Sequence, residues 1–265
     1  MASKNIALVT GANKGIGYEI VKALLGSDKA YHVYLGSRSL ERGQEAVKTL
    51  QIECPKSASS VEAIQLDVTS DSSIKAAFET VKASTGHIDT LINNAGITKD
   101  LEFVRGQVSL RKNFIGAYDV NVAGSNVVTY MFLPLLLKSS DPRLIFVSGL
   151  GTFGQCAKGD IPLPPKLERG WPKKLEFDTV GYRCTKAALN MLMLDYHWKL
   201  QVDGVKVWSI LPGFLLTDLG GDKEWVRAQG AAHPSAGGQF VKRVVEGERD
   251  ADTGKLIANG SVYPF

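Results

Sequence analysis

Residues 5–10, Asn-Ile-Ala-Leu-Val-Thr, form an apolar run of strand length, and Gly11-Ala-Asn-Lys-Gly15-Ile-Gly17 leads from it directly into an amphipathic stretch that ends near Gly26. The order is strand, glycine turn, helix. Glycines at 11, 15 and 17 let the backbone approach a diphosphate and let the helix pack tightly on the strand, while the first N–H groups of the helix face the anion. The spacing departs from the common G-x-G-x-x-G fingerprint, so by itself the pattern fits a plain tight turn equally well.

Further strand-like runs at residues 31–36, 61–66, 88–93, 143–147 and 205–211 alternate with helical stretches. Such alternation predicts an α/β fold, a Rossmann-type doubly wound parallel sheet flanked by helices. Right-handed crossovers then gather the loops that follow the strands along one edge, where a dinucleotide can lie. A length of 265 residues with 44% hydrophobic content suits one domain over residues 1–265. The rhythm breaks at residues 156–181, where Pro162, Pro164, Pro165 and Pro172 forbid a regular helix or strand. This insertion precedes Tyr182 directly and is expected to be a lid or substrate wall rather than a solvated excursion.

The net charge of +4, from 31 basic and 27 acidic residues, includes no basic block, which argues against nucleic acid and anionic membrane as partners. The apolar stretch at residues 131–137 is too short to span a bilayer. The first strand starts too early to leave room for a signal peptide, so a cytoplasmic protein is expected. Three cysteines, Cys54, Cys156 and Cys184, show no C-x-x-C spacing, and the four histidines are scattered singly. No disulfide framework and no metal site are expected.

Tyr182 and Lys186 stand four residues apart, so on a helix both side chains point the same way, one turn from each other. A phenol titrates near 10 in isolation, and a neighbouring ammonium that stabilises the phenolate would bring proton exchange closer to neutrality. That suits a general acid. Many helices carry such a pair by chance, and its weight comes from the other motifs of the chain.

In chain order, the glycine turn from Thr10 to Gly17, Asn93-Asn-Ala-Gly96, Asn121, Ser148, Tyr182 with Lys186, and Pro212-Gly213 resemble the short-chain dehydrogenase/reductase family over nearly the whole length. Asn13-Lys-Gly-Ile-Gly17, Arg42-Gly-Gln44 and Pro212-Gly-Phe-Leu-Leu-Thr217 resemble its carbonyl-reductase and C-factor-like branch, of fungal type. The resemblance implies reduction of a ketone, aldehyde or quinone by hydride from a nicotinamide, with Tyr182 as proton donor. It implies that Lys186 tunes Tyr182 and binds the nicotinamide ribose, and that Asn121 holds a water linking Lys186 to solvent. A long insertion at 156–181 can block the family's usual dimer face, so both monomer and homodimer stay open.

The cofactor contacts expected from turn and resemblance are Gly11, Asn13, Lys14, Gly15, Ile16, Gly17, Asn94, Ala95, Gly96, Pro212, Gly213 and Thr217, with Asp67 and Val68 at the adenine. Asp67 alone could equally cap the helix starting near Ser70. After the second strand come Ser37 and Arg38, and no acid appears until Glu41. A carboxylate there would select the 2′-hydroxyl of NADH, whereas Arg38, helped by Lys14, the Ser37 hydroxyl and Arg42, grips a 2′-phosphate. The expected cofactor is NADPH.

The family often places two hydroxyl residues after the fifth strand, the second being catalytic, and here the pair reads Ser148-Gly149. Aligned by strand length, the catalytic position falls on Gly149; aligned by motif, it falls on Ser148. Ser148 is the expected oxyanion donor, with Thr152 a distant second, and a serine at 149 would restore the pair. Phe153, Leu215, Leu216 and Trp225 are expected to give the substrate end an apolar lining. Two other readings stay open, an inactive NADPH-binding regulator and an alcohol oxidation with NAD.

Overall fold

The computed structural model describes residues 4–149, 153–158, 167–173, 178–221 and 223–265. The buried run Ile6-Ala-Leu-Val9 within β1 (Asn5–Val9) cannot face water on either side, and helices cover it on both. Around it lie β2 (Tyr31–Ser37), β3 (Ser60–Gln65), β4 (Thr90–Asn93), β5 (Arg143–Val147), β6 (Lys206–Leu211), β7 (Leu256–Ala258) and β8 (Ser261–Tyr263). They form one eight-stranded sheet in the order β3-β2-β1-β4-β5-β6-β7-β8. Every pairing is parallel except the last, β7 with β8. The expected doubly wound parallel sheet is thus present, with one antiparallel strand added at its edge.

Alternation along β1 sends Ile6 and Leu8 to one face and Ala7 and Val9 to the other. On the first face they meet α3 (Asp71–Ser84), α6 (Ser125–Leu136) and α8 (Val180–Leu200), through Val81, Phe132 and Met193 among others. On the second they meet α1 (Gly15–Leu25), α2 (Leu40–Glu53) and α10 (Ser235–Val245), with Leu24, Leu50 and Phe240 fully enclosed. Each such side chain contributes about 1.5–3 kcal/mol when buried. The shorter helices α4 (Asp100–Val104), α5 (Leu110–Tyr118), α7 (Phe153–Ala157) and α9 (Lys223–Ala228) stand after β4, β5 and β6.

The helix expected after β4 is therefore broken into α4, α5 and α6, and one wide π turn, Asp119–Gly124, joins α5 to α6. The chain order reverses between β1 and β4, which opens a crevice beyond the strand ends at that point. At the opposite ends of β5 and β6, buried Arg143 holds Asp250 at 2.6 and 3.0 Å and Asp141 at 2.7 and 3.1 Å, and Lys206 joins both acids. The charge network thus fixes one edge of the sheet and leaves the other for the site. Among the described residues no helix is long and apolar enough to cross a membrane.

Candidate active site

A cleft of about 560 Å³ follows the crevice from the glycine turn to the start of α8. The residues expected to bind cofactor or to act on the carbonyl all line it except Gly17 and Asn121. Gly11 and Gly15 have φ of 62° and 61°, a region that side chains avoid, and a Cβ at Gly11 would stand 2.9 Å from Ala95 Cα. Gly17 acts underneath: a Cβ there would fall 2.5 Å from Asn94 Nδ2, which donates to Thr10 O and Gly11 O. Thr10 Oγ1 accepts from the N–H groups of Asn94 and Ala95, so the ends of β1 and β4 are stitched together under the turn.

At the far end of the cleft the guanidinium groups of Arg38 and Arg42 are exposed and have no partner among the described residues. The Ser37 hydroxyl, by contrast, is buried and donates to Ser39 O, so it is not the free phosphate donor expected of it. Ser39 takes that place in the wall: it caps α2 by accepting from Arg42 N, and the helix start turns its N–H groups and positive pole to the cleft. Lys14 is also engaged. Its ammonium lies 2.8 Å from Asp218, which Lys223 holds at 2.7 Å on the other side, and the two cations, Lys14 first, pull the Asp218 carboxyl down to about 2. Both partners are well exposed, and such a pair contributes little and yields to a competing anion.

Asp67 accepts from the backbone N–H and hydroxyl of Thr69, while Ser70 caps α3, so the capping role open to Asp67 belongs to Ser70. Thr217 caps the short turn Asp218–Gly220, and its methyl group would lie 3.9 Å from a Cβ at Gly15. Pro212 and Gly213, the latter with φ 106°, bring that loop over the glycine turn. The set fits a dinucleotide: glycines where the diphosphate needs room, a helix start and two unclaimed guanidinium groups where a further phosphate would sit.

At the opposite end of the cleft Tyr182 is half-buried and Lys186 is only 4% exposed, its Nζ 5.4 Å from the Tyr182 ring centre. Lys186 Nζ donates to Val147 O at 2.7 Å. Burial pushes the phenol up and the ammonium down to about 8, opposite to the lowered phenol expected from the spacing. Desolvation acts on both groups, and each is driven toward its neutral form.

Asn121, fully buried in the π turn, exchanges two bonds with Ile97, donating to its carbonyl and accepting from its N–H, and donates to Thr185 Oγ1. It joins the strand-end segment to α8. A Cβ at Gly96 would stand 3.4 Å from Asn121 Oδ1 and 3.5 Å from Lys186 Nζ, so the two polar groups border one space.

Ser148 departs from its expected role. Its hydroxyl is 2% exposed and donates to Asn190 Oδ1 at 2.7 Å, so the proton that an oxyanion donor must offer is already given to α8. The residue against the phenol is Gly149, where a Cβ would lie 2.8 Å from Tyr182 Cε1 and 2.9 Å from its hydroxyl oxygen. Because successive residues of an extended chain face opposite ways, only one of the two can face Tyr182, and it is the one without a side chain.

Of the expected apolar lining, Leu215 faces the cleft together with Ile97, Leu101, Phe214 and Leu219, and Leu216 does not. Thr152, the side chains of Phe153 and Trp225, and residues 159–166 and 174–177 of the expected lid lie outside the described residues. Sequence reasoning missed Thr10, Ser39, Thr185 and Asp100. For Thr185 a signal existed in its place between Tyr182 and Lys186 on the same helix turn.

Residues 5–159 match the family model described as short chain dehydrogenase. The chain is 43% identical to the short-chain dehydrogenase/reductase tropE of Talaromyces stipitatus, over 100% of this chain and 99% of that protein. It is 38% identical to the short-chain dehydrogenase/reductase eupG of a Phoma species, covering 99% and 98%. Among solved structures, an NADPH-bound carbonyl reductase from chicken fatty liver superposes with a TM-score of 0.76 at 24% identity over the full length of both chains. An L-sorbose reductase from Gluconobacter frateurii, complexed with NADPH and L-sorbose, gives 0.75 at 21% identity over 97% of this chain and 95% of that one. At such identities the two structures speak for a shared fold.

Proposed function

The chain belongs to the short-chain dehydrogenase family, and on that premise we propose that it reduces a carbonyl of a small molecule to an alcohol, with NADPH as reductant and Tyr182 as proton donor. The observation that carries this reading is one cleft with Tyr182 and Lys186 at one end and the unclaimed Arg38 and Arg42 at the other. The guanidinium pair and the α2 start favour a 2′-phosphate, hence NADPH over NADH. The NADPH-bound neighbours share this fold.

The glycine turn, Arg38 and Arg42 would hold NADPH along the cleft, and the bound cofactor would supply hydride to the carbonyl carbon. As the C–H bond forms, the C=O π pair moves to oxygen, and Tyr182 gives that oxygen its hydroxyl proton. A phenol held protonated by burial is a proper donor, because the forming alkoxide is far more basic than the carbonyl it replaces. Lys186 serves from below: its buried ammonium, anchored on Val147 O, stabilises the phenolate left behind. Asn121 and Thr185 hold this helix turn in register with the strand-end segment.

A second reading, an NADPH-binding protein without turnover, draws on the engaged Ser148 hydroxyl and the bare Gly149. One experiment separates them: NADPH consumption with a panel of aldehydes, ketones and quinones, by wild type and by Tyr182→Phe. The expected outcome is turnover in the wild type and a loss of about 10² to 10⁴-fold in the variant, with cofactor affinity kept. Binding of NADPH with no turnover on any carbonyl selects the second reading.

A further inference from the structure

The start of α8 is capped in an unusual way. The first N–H groups of a helix have no acceptor within it, and Thr179, at the capping position, offers no side-chain bond. Two carboxylates divide the work. Asp178 accepts from the N–H groups of Thr179 and Val180 at 2.7 and 3.0 Å. Asp100, far away in sequence, accepts from Gly181 N at 3.0 Å through Oδ1 and from Tyr182 N at 2.8 Å through Oδ2.

Asp100 is 2% exposed and has no cationic partner among the described residues. Its charge is held by the two helix N–H groups, by Asn113 Nδ2 at 2.8 Å, by the Thr98 hydroxyl at 3.0 Å and by the positive pole of α8. The neighbouring residue makes room for it: a Cβ at Gly181 would stand 2.6 Å from Asp100 Oδ1 and 3.1 Å from Asn113 Nδ2. Asp100 is also the far end of a continuous segment. Asn94 and Ala95 are bonded to Thr10, Ile97 to Asn121, and Asp100 to the backbone of Tyr182.

Resting on the reductase reading above, we propose that Asp100, held by Asn113, is a positioning residue that sets where the Tyr182 hydroxyl stands relative to the glycine turn. A carboxylate suits this work because its two oxygens take both N–H groups at once and fix the helix start in two directions. Tyr182 is the third residue of α8, so its N–H is among the donors that any cap of this helix serves; what sets Asp100 apart is that it reaches them from the segment bonded to Thr10 and Asn121. Asp178, which stops one residue short of Gly181, provides the internal control.

The test compares Asp100→Asn, which keeps shape but leaves a single acceptor oxygen, with Asp178→Ala, which removes a cap from the same helix. Asp100→Asn is expected to lower kcat by about 10- to 100-fold while the Kd for NADPH, read by cofactor fluorescence, changes less than about threefold. Asp178→Ala is expected to lower the melting temperature at least as much but kcat by less than about threefold. Amide hydrogen exchange at Gly181 and Tyr182 is expected to speed up in Asp100→Asn and not in Asp178→Ala. Activity losses that follow the melting temperature equally in both variants, or a fully active Asp100→Asn, overturn the proposal. Should the wild type reduce no carbonyl at all, the functional reading fails by itself. Amide exchange then decides, and exchange at Tyr182 no faster in Asp100→Asn than in Asp178→Ala overturns the role of Asp100.

Discussion

Arg38 and Arg42, at one end of the cleft, have no partner among the described residues, whereas at the other end Ser148, Lys186, Asn121 and Asp100 are each bonded to protein. The difference follows from water. An exposed guanidinium is satisfied by solvent while it waits for a ligand, but a buried hydroxyl, ammonium or amide left without a partner costs about 1–3 kcal/mol or more. Under the proposed function, the Arg38 end would bind by receiving a group it lacks, whereas the Tyr182 end would work through groups already held in place, with any substrate bond made by Tyr182 or by exchange of an existing partner.

Three substitutions strain this contrast. The largest effect is expected from Gly149→Ser, whose Cβ would press on Tyr182 and on Lys186 Cγ, 3.0 Å away. Displacing the phenol lowers kcat by about 10²-fold with NADPH affinity kept. A faster enzyme would instead show that a missing hydroxyl limits the rate and that the ring has room to yield. Next comes Arg38→Ala, expected to weaken NADPH but not NADH by roughly ten- to hundredfold, the worth of a charge-assisted bond. Equal losses for both cofactors in titrations would remove the distinction between an open end and a closed one. The smallest catalytic effect is expected from Ser148→Ala: a rate within about tenfold of wild type, with roughly 1–3 kcal/mol less stability because Asn190 Oδ1 loses its donor. Denaturant unfolding and turnover on one reducible ketone check both halves, and a rate loss of 10² without loss of stability would return the oxyanion role to Ser148.

Local signals in the chain specify the glycine-turn end of the cleft: apolar runs and glycines mark β1, the turn and α1 within about twenty residues, and Arg38 is placed by following β2. Long-range partners were hidden. Lys14 reads as a phosphate contact, yet its ammonium finds Asp218 across the cleft. Asp100 looks like one acid among many until the fold sets it under Tyr182. Between Ser148 and Gly149 the difficulty was parity: β5 ends at Val147 as its apolar run indicates, but a slip of one residue turns an extended side chain to the other face. The edge pair β7 and β8 escaped because each has three residues, although Asn259-Gly260, with Gly260 at φ 85°, is a hairpin signal between them.

The π turn at Asp119–Gly124 has a consequence for how the gene can change. Such a turn holds one residue more than an α-helix would place there, so a single-codon deletion within it could heal the helix into regular form. The healed helix would look sounder locally, yet everything before the deletion would rotate by about 100° about its axis relative to α6. Asn113 would swing away from Asp100, and a deletion after Asn121 would also turn that residue from Ile97 and Thr185. Point substitutions on the outer face of α5 are tolerable under that geometry, while a change in length between Asn113 and Asn121 is not.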